Sequence, residues 1–384
     1  MANDANDDGV SVTRRQVLGL AGGVGVAVAV GGAPVFADTS DRDHGHSRLL
    51  DTRLVTDYAA RVPIANAGMS FIGLTDLAIA VSNAGGIGMY GAAPEPPPVV
   101  AARLATIAAS VGTRPFGVDF IISESPLGTF TTQDHIDVAA AARVPIVVFH
   151  WDIPPASWVS QLHAAGTRVW IQAGDVEFAR RGLAVGADAV IAQGSSAGGH
   201  NRNHSIPTLV LVELIRSRVS RDCMLLAAGG IATGRSLVRA ILAGADGGWM
   251  GTRFVAAAES FAHPDYKQRL VDARSLFATA FTTAFGPEFP GQPQRVLRDS
   301  AVRNPGSTTP DVIGTTVLFP GVVDAPYTMP NHSAIVPTRN TTGDLDQMDM
   351  PAGSESIFAV REVQSAADII AEVMGEAHAE VAVL

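Results

Sequence analysis

Residues 189–200 read Ala189-Val190-Ile191-Ala192-Gln193-Gly194-Ser195-Ser196-Ala197-Gly198-Gly199-His200. The opening apolar run has the character of a buried strand. Three glycines and two serines then let the backbone come close to a ligand. The stretch ends on an imidazole, the side chain that most easily moves protons near neutral pH. Such a turn, closing on a histidine at the carboxyl end of a strand, is the layout of a cofactor site with a base beside it. Two further strand ends repeat the glycine signal, at Ala228-Gly229-Gly230 and Met250-Gly251-Thr252.

Outward from this stretch, short apolar runs alternate with amphipathic segments. The runs are 62–67, 86–90, 116–122, 145–151, 168–173, 189–193, 224–228 and 247–250. Helical patterns lie between them, at 75–83, 99–110, 135–142, 156–165, 176–185, 209–219 and 236–243. Strands this apolar, joined by helices, imply a parallel sheet covered on its outer side. Eight of them in strict alternation imply an α/β fold of the closed (β/α)8, or TIM barrel, type. The competing doubly wound sheet would need a switch point. Gly85, Gly166, Gly186 and Gly244 each follow a helical pattern just before a strand, where a left-handed cap favours glycine.

After Phe254 the alternation stops. Residues 255–280 still read as helical, with 265–280 amphipathic. Residues 286–355 are rich in Gly, Pro, Ser and Thr, and 354–376 closes with another helical pattern. The expected division is a barrel over 55–260 and an appended C-terminal helical and irregular cap over 261–384, packed on the barrel mouth.

The amino-terminal residues have the pattern of an export signal. Thr13-Arg14-Arg15-Gln16-Val17-Leu18 is a twin-arginine motif, followed by a weakly apolar run to Ala33 and a small-residue cleavage pattern at Val35-Phe36-Ala37. Residues 1–37 are expected to be a cleaved signal peptide and 38–54 a linker. The protein is expected outside the cytoplasm with no stable membrane span. The net charge of −10 and the lack of a basic block argue against nucleic acid as a partner. The single cysteine, Cys223, excludes an internal disulfide and sits among apolar neighbours that suit a buried thiol. His44 and His46 have no third ligand near them, so no metal site is expected.

In a barrel, chemistry gathers where strands end and the following loops begin. Those positions are Asn66, Ala67, Gly68 and Met69 on the first strand, Asp119 on the third, His150 and Trp151 on the fourth and Gln172 on the fifth. The sixth supplies Gln193, Gly194, Gly199 and His200, the seventh Gly229 and Gly230, and the eighth Gly251 and Thr252. Glycines at the last two strand ends, leading into a helix near Arg235, suit a phosphate grip. His200 is the first candidate for a catalytic base and His150 the second.

Six motifs occur in order: Ile64–Met69, Ala80–Gly86, Arg114–Asp119, Gln193–His200, Ala227–Gly234 and Gly244–Phe254. Together they resemble the nitronate monooxygenase family, formerly the 2-nitropropane dioxygenases. The resemblance implies FMN in the barrel, with the Gly68-Met69 backbone along the flavin ring and Gln172 near the ring or ribityl chain. It sets Gly199, Gly229, Gly230, Gly251 and Thr252 around the phosphate. It makes His200 the base or the hydrogen-bond donor to the nitro group. The implied reaction is oxidation of an alkyl nitronate, or of a nitroalkane, with O2 as co-substrate, to a carbonyl compound and nitrite. Asp119 stands where the family pattern has an asparagine, Gln172 where some members carry lysine, and Ser196 where glutamate is common. Flavin-dependent enoyl reductases share much of the pattern, so an NAD(P)H-dependent reductase is the alternative. A non-catalytic binding protein that keeps the barrel is the third.

Overall fold

In the computed structural model, residues 49–125, 128–286, 288–304, 311–321 and 323–384 are described. The expected signal peptide at 1–37 and most of the expected linker lie outside them. Eight parallel strands form the central sheet. They are β1 (Ile64–Asn66), β2 (Gly88–Gly91), β3 (Phe116–Ile121), β4 (Ile146–His150), β5 (Arg168–Ala173), β6 (Ala189–Gln193), β7 (Met224–Ala228) and β8 (Gly247–Met250). Each pairs with its sequence neighbour from β2 to β8, and β8 pairs with β1. Ala65 lies opposite Ile87, and the Ile87 amide donates to the Ile64 carbonyl at 2.9 Å, which closes the ring. The expected (β/α)8 barrel is therefore the observed fold.

Side chains alternate across a strand, and this alternation explains why the strands read as continuously apolar. Val118, Phe120, Val147, Phe149, Val169, Ile171, Val190 and Leu225 join a cluster with the surrounding helices. The residues between them, Ala65, Met89, Ile146, Val148, Trp170, Ile191, Leu226 and Trp249, fill a second cluster inside the barrel.

Helices α1 (Arg53–Tyr58), α2 (Thr75–Ala84), α3 (Pro97–Val111), α4 (Gln133–Ala141), α5 (Ala156–Ala164), α6 (Val176–Ala184), α7 (Thr208–Arg216) and α8 (Gly234–Leu242) follow. The end of the expected linker belongs to the fold. Leu50 and Leu54 are buried, and Leu54 joins the interior cluster. Beyond β8 come the short α9 (Thr252–Val255), α10 (Pro264–Asp272), α11 (Ser300–Arg303) and α12 (Ala366–Val381). The sequence reading placed α12 with the cap. In the structure it packs on α2 and α8, and its Ile369, Ile370, Val373 and Ala377 belong to the main cluster. It therefore covers the outer flank of the barrel.

The helical pattern read over 265–280 is corrected at its end. Helix α10 stops at Asp272, and residues 279–282 form a strand, β9 (Thr279–Thr282), paired with β10 (Gln294–Leu297). Thr279 and Phe281 are strand formers, and pairing with β10 outweighs the local helical pattern. Strand β10 also pairs with the two-residue strand Gly199–His200. A hairpin of β11 (Val312–Phe319) and β12 (Val323–Pro330) lies further along. Phe71, Ile72, Tyr266, Leu270, Met329, Met348, Met350 and Ile357 form the core of this region, which joins the β1 loop to the later segments.

The docking of α12 rests on close backbone approach. A Cβ placed on Gly234 would lie 2.1 Å from the Ala377 nitrogen. Gly234→Ala is expected to force α8 and α12 apart and to cost about 1–3 kcal/mol, the usual range for overpacking. A fall in the chemical-denaturation midpoint checks this; an unchanged midpoint would contradict the close packing of α12.

Candidate active site

Inward alternation carries on past the filled part of the barrel, and its last positions build the site. Strand β5 turns Trp170 inward, so Gln172 is inward as well. In β6 the interior Ile191 is followed by Gln193, and in β4 Val148 is followed by His150. These three side chains and Ala67, Gly68, Met69, Gly199, His200, Gly229, Gly251 and Thr252 line one cavity. It encloses about 1050 Å³ when the space at its open mouth is included.

Three expected site residues lie behind this lining. A Cβ on Gly194 would meet Thr208 at 2.2 Å, so this glycine serves the contact with α7. Gly230 has φ +77 and abuts Glu355, whose carboxylate oxygen would lie 2.6 Å from a Cβ there. Asp119 is buried against Gly68 and its Oδ1 has no hydrogen-bond partner. Burial without a partner pushes its carboxyl well above the usual carboxylate range. Burial thus favours the neutral form of Asp119, which resembles the asparagine of the family pattern.

The phosphate grip expected before α8 is only partly available. The amides of Ala232 and Thr233 donate to Ser236 Oγ, the Ser236 amide to Thr233 Oγ1, and the Gly234 amide to Glu376 Oε2 at 2.8 Å. The amino terminus of α8 is therefore satisfied by protein. The free donors sit just before it. Among the described residues, the amides of Gly229, Gly230 and Ile231 on one strand end, and of Gly251 and Thr252 on the next, make no hydrogen bond to protein. Gly251 has open space at its Cβ position, with Ala67 Cβ at 3.7 Å its nearest neighbour. The cradle fits a phosphate: its donors are unpaired backbone N–H groups, and glycine leaves the room.

The residues 352–356 close the other side. The Gly353 amide donates to Thr252 Oγ1 at 2.9 Å, and the Ser354 amide to the Ser196 carbonyl at 3.1 Å. Ser196 Oγ donates to Glu355 Oε1 at 3.2 Å. Ser196 stands where a glutamate is common, and Glu355 brings a carboxylate to it from elsewhere in the chain.

His200 sits at the cavity wall between two aromatic rings. Its ring centroid is 4.6 Å from that of Phe289 and 5.9 Å from that of Trp151, and Trp151 is also edge-on to His150. Trp151 has φ +80, a strained conformation for so large a residue. Arg202 covers its indole, with the guanidinium 4.7 Å from the ring centre. Both imidazoles are half-buried in the cavity wall. Burial pushes His200 down to about 4 and, helped by the His200 and Arg202 charges, His150 down to about 3. Both are neutral at pH 7. His200 Nδ1 has no partner.

Phe289, Gln294, Asp349, Pro351 and Ser356 also line the cavity. The first four come from the segment after residue 286 that shows few periodic stretches, and Ser356 from the start of the final helical pattern.

The nitronate monooxygenase family model matches residues 52–376. A nitronate monooxygenase of Pseudomonas aeruginosa is 39% identical over 166 residues, 41% of this chain and 47% of that protein. A solved nitroalkane oxidase of Streptomyces ansochromogenes superposes with a TM-score of 0.68 at 27% identity, covering 86% of this chain and 99% of the other. FabK of Thermotoga maritima superposes with a TM-score of 0.69 at 30% identity, covering 86% and 97%. With a match of this length on a barrel whose strand ends carry the family's motifs, the chain belongs to the nitronate monooxygenase family and is an oxidoreductase.

Proposed function

We propose that the protein binds FMN in this cavity and oxidises alkyl nitronates with O2, releasing a carbonyl compound and nitrite. The observation that supports it most is that unpaired backbone amides of Gly229, Ile231, Gly251 and Thr252 share one cavity with a neutral imidazole, with that of Gly230 just behind them. The amides of Gly229, Gly230, Ile231, Gly251 and Thr252 would hold the phosphate. Gly68, Met69, Gln172 and Gln193 would contact the flavin. Bound FMN supplies the electron acceptor for the nitronate and the means of passing electrons on to O2.

The chain's own residues set the substrate's charge state. Neutral His200 offers one N–H donor and one lone pair. With its pKa near 4 it is a weak base, poorly matched to removing a carbon-bound proton at pH 7. Its better use is to donate to an oxygen of a nitronate that is already ionised. Neutral Asp119 adds no negative charge to oppose that anion. Trp151 and Phe289 hold the imidazole in place from two sides. We therefore place the nitronate ahead of the parent nitroalkane as substrate.

Purified protein supplied with FMN should consume O2 and release nitrite from a nitronate, and act far more slowly on the parent nitroalkane; no nitrite from either would overturn the reading. Replacing His200 with Ala should cut kcat/KM for the nitronate by about 100-fold, the scale of losing one donor to a charged oxygen in an enclosed site. The wild-type profile should be flat between about pH 5 and 8, because the imidazole is already neutral there. Any change caused by the ring should enter only as pH drops through about 4, where it gains a proton. A rise in rate centred near pH 6.5 would instead mark an ordinary exposed histidine. Gly251→Ala should leave the melting temperature unchanged, since the new methyl meets nothing closer than 3.7 Å. It should weaken FMN binding by about 10-fold or more, because that methyl points into the cradle.

A further inference from the structure

The cavity wall holds two polar side chains that neither the barrel nor the flavin grip uses. Gln294 and Asp349 both line it, and they are 0% and 1% exposed. Gln294 Oε1 and Asp349 Oδ1 have no hydrogen-bond partner, and the Gln294 amide makes no well-formed hydrogen bond, though it lies close enough to the Asp349 carboxyl to act on it. A buried, unpaired amide or carboxyl costs about 1–3 kcal/mol. Apolar residues of the same size would avoid that cost, so two such groups side by side in a cavity wall call for a ligand.

Their position says which part of a ligand they serve. In the antiparallel pairing of β10 with Gly199–His200, Gln294 is the direct partner of His200. Directly opposed residues of an antiparallel pair project to the same face, with Cβ atoms about 4.5–5.5 Å apart. His200 and Gln294 therefore converge on one small volume, and His200 Nδ1 is itself unpaired. Asp349 stands beside Gln294, whose amide acts on its carboxyl. The rest of the wall nearby is apolar, with Ile121, Phe289, Ala334 and Val336.

We propose that Gln294 and Asp349 are positioning residues that, together with His200, receive the two oxygens of the substrate's nitronate group, each acting as a hydrogen-bond donor. This rests on the nitronate reading above. Gln294 donates through its amide N–H. Asp349 donates as a neutral carboxylic acid, the device by which an apolar site turns an aspartate into a donor for an oxyanion. Burial, Asp299 and Glu288 raise its carboxyl well above the usual range, and only Gln294 opposes them. Tyr266, which packs nearby, is itself raised and neutral, and His150 and His200 across the cavity are neutral too. Among the described residues, no cation acts on Asp349 to hold it ionised. An ionised Asp349 would repel the nitronate.

The test is steady-state nitrite release by the FMN-loaded enzyme, with the nitronate of 2-nitropropane as probe. Gln294→Met and Asp349→Leu should each raise KM by about 10-fold or more, the scale of one hydrogen bond to a charged group. Gln294→Met should do so without lowering the melting temperature, because it removes an unsatisfied buried amide. Asp349→Asn keeps a neutral donor and should stay within about threefold of wild type, a shift of well under one hydrogen bond. Unchanged KM in Gln294→Met and Asp349→Leu would overturn the assignment while the nitronate reading stands. Loss of activity in Asp349→Asn, with FMN still bound, would also overturn it, since it would show that the ionised carboxylate is required. A wild-type enzyme that forms no nitrite would overturn both the function and this assignment.

Discussion

The indole of Trp170 fills the barrel axis, and the position of the site follows from it. The ring is fully buried, packs edge-on against Trp249 at 6.3 Å and Tyr58 at 5.2 Å, and donates its N–H to the Tyr58 hydroxyl at 2.9 Å. These rings, with Leu54 and Met224, pack into one cluster inside the barrel. The strict two-residue alternation of parallel strands then decides what stands above them. Each strand that turns a large apolar residue into the axis turns its next inward residue into the cavity. Gln172 and Gln193 owe their place in the wall to this rule, as does His150.

The second constraint is desolvation. A cavity walled by strand ends below and by Phe289, Gln294, Asp349 and Pro351 above takes its titratable groups partly out of water, and each shifts toward its neutral form. The two imidazoles are pushed down, and the carboxyls of Asp119 and Asp349 are pushed up. The result is a polar but uncharged lining. Such a lining suits an anionic ligand, because unpaired N–H and O–H donors replace lost hydration and no fixed negative charge competes. The carboxylate of Glu355 stands outside the lining, against Gly230 and Ser196. Placement of Phe289, Gln294, Asp349 and Pro351 over the barrel is thus a condition for the site's electrostatics as well as for its shape.

The barrel was legible in the sequence because every strand is apolar on both faces and every intervening helix carries its own period. The strand limits read from residues 189–193, 224–228 and 247–250 coincide with β6, β7 and β8. Many of the residues that line the cavity were legible for the same reason, since strand ends in a barrel converge by geometry. What stayed hidden depended on contacts distant in sequence. Helix α12 reads as a terminal amphipathic helix, and nothing local says that it returns to α2 and α8. The amino terminus of α8 looks open until Glu376 arrives to cap it. Phe289, Gln294 and Asp349 lie in a stretch without periodicity, and only the pairing of β10 with Gly199–His200 brings Gln294 beside the imidazole.

The central claim is that this one cavity holds a flavin and delivers a nitronate to it. The most direct test is the absorbance spectrum of the purified FMN-loaded protein, followed without oxygen as a nitronate is added and, in a separate sample, NADPH. The account predicts a protein-bound flavin spectrum that is bleached by the nitronate and left unchanged by NADPH. Bleaching by NADPH alone would contradict it and assign the barrel to a nicotinamide-dependent reductase, and a protein that takes up no FMN would contradict the reading of the cradle itself.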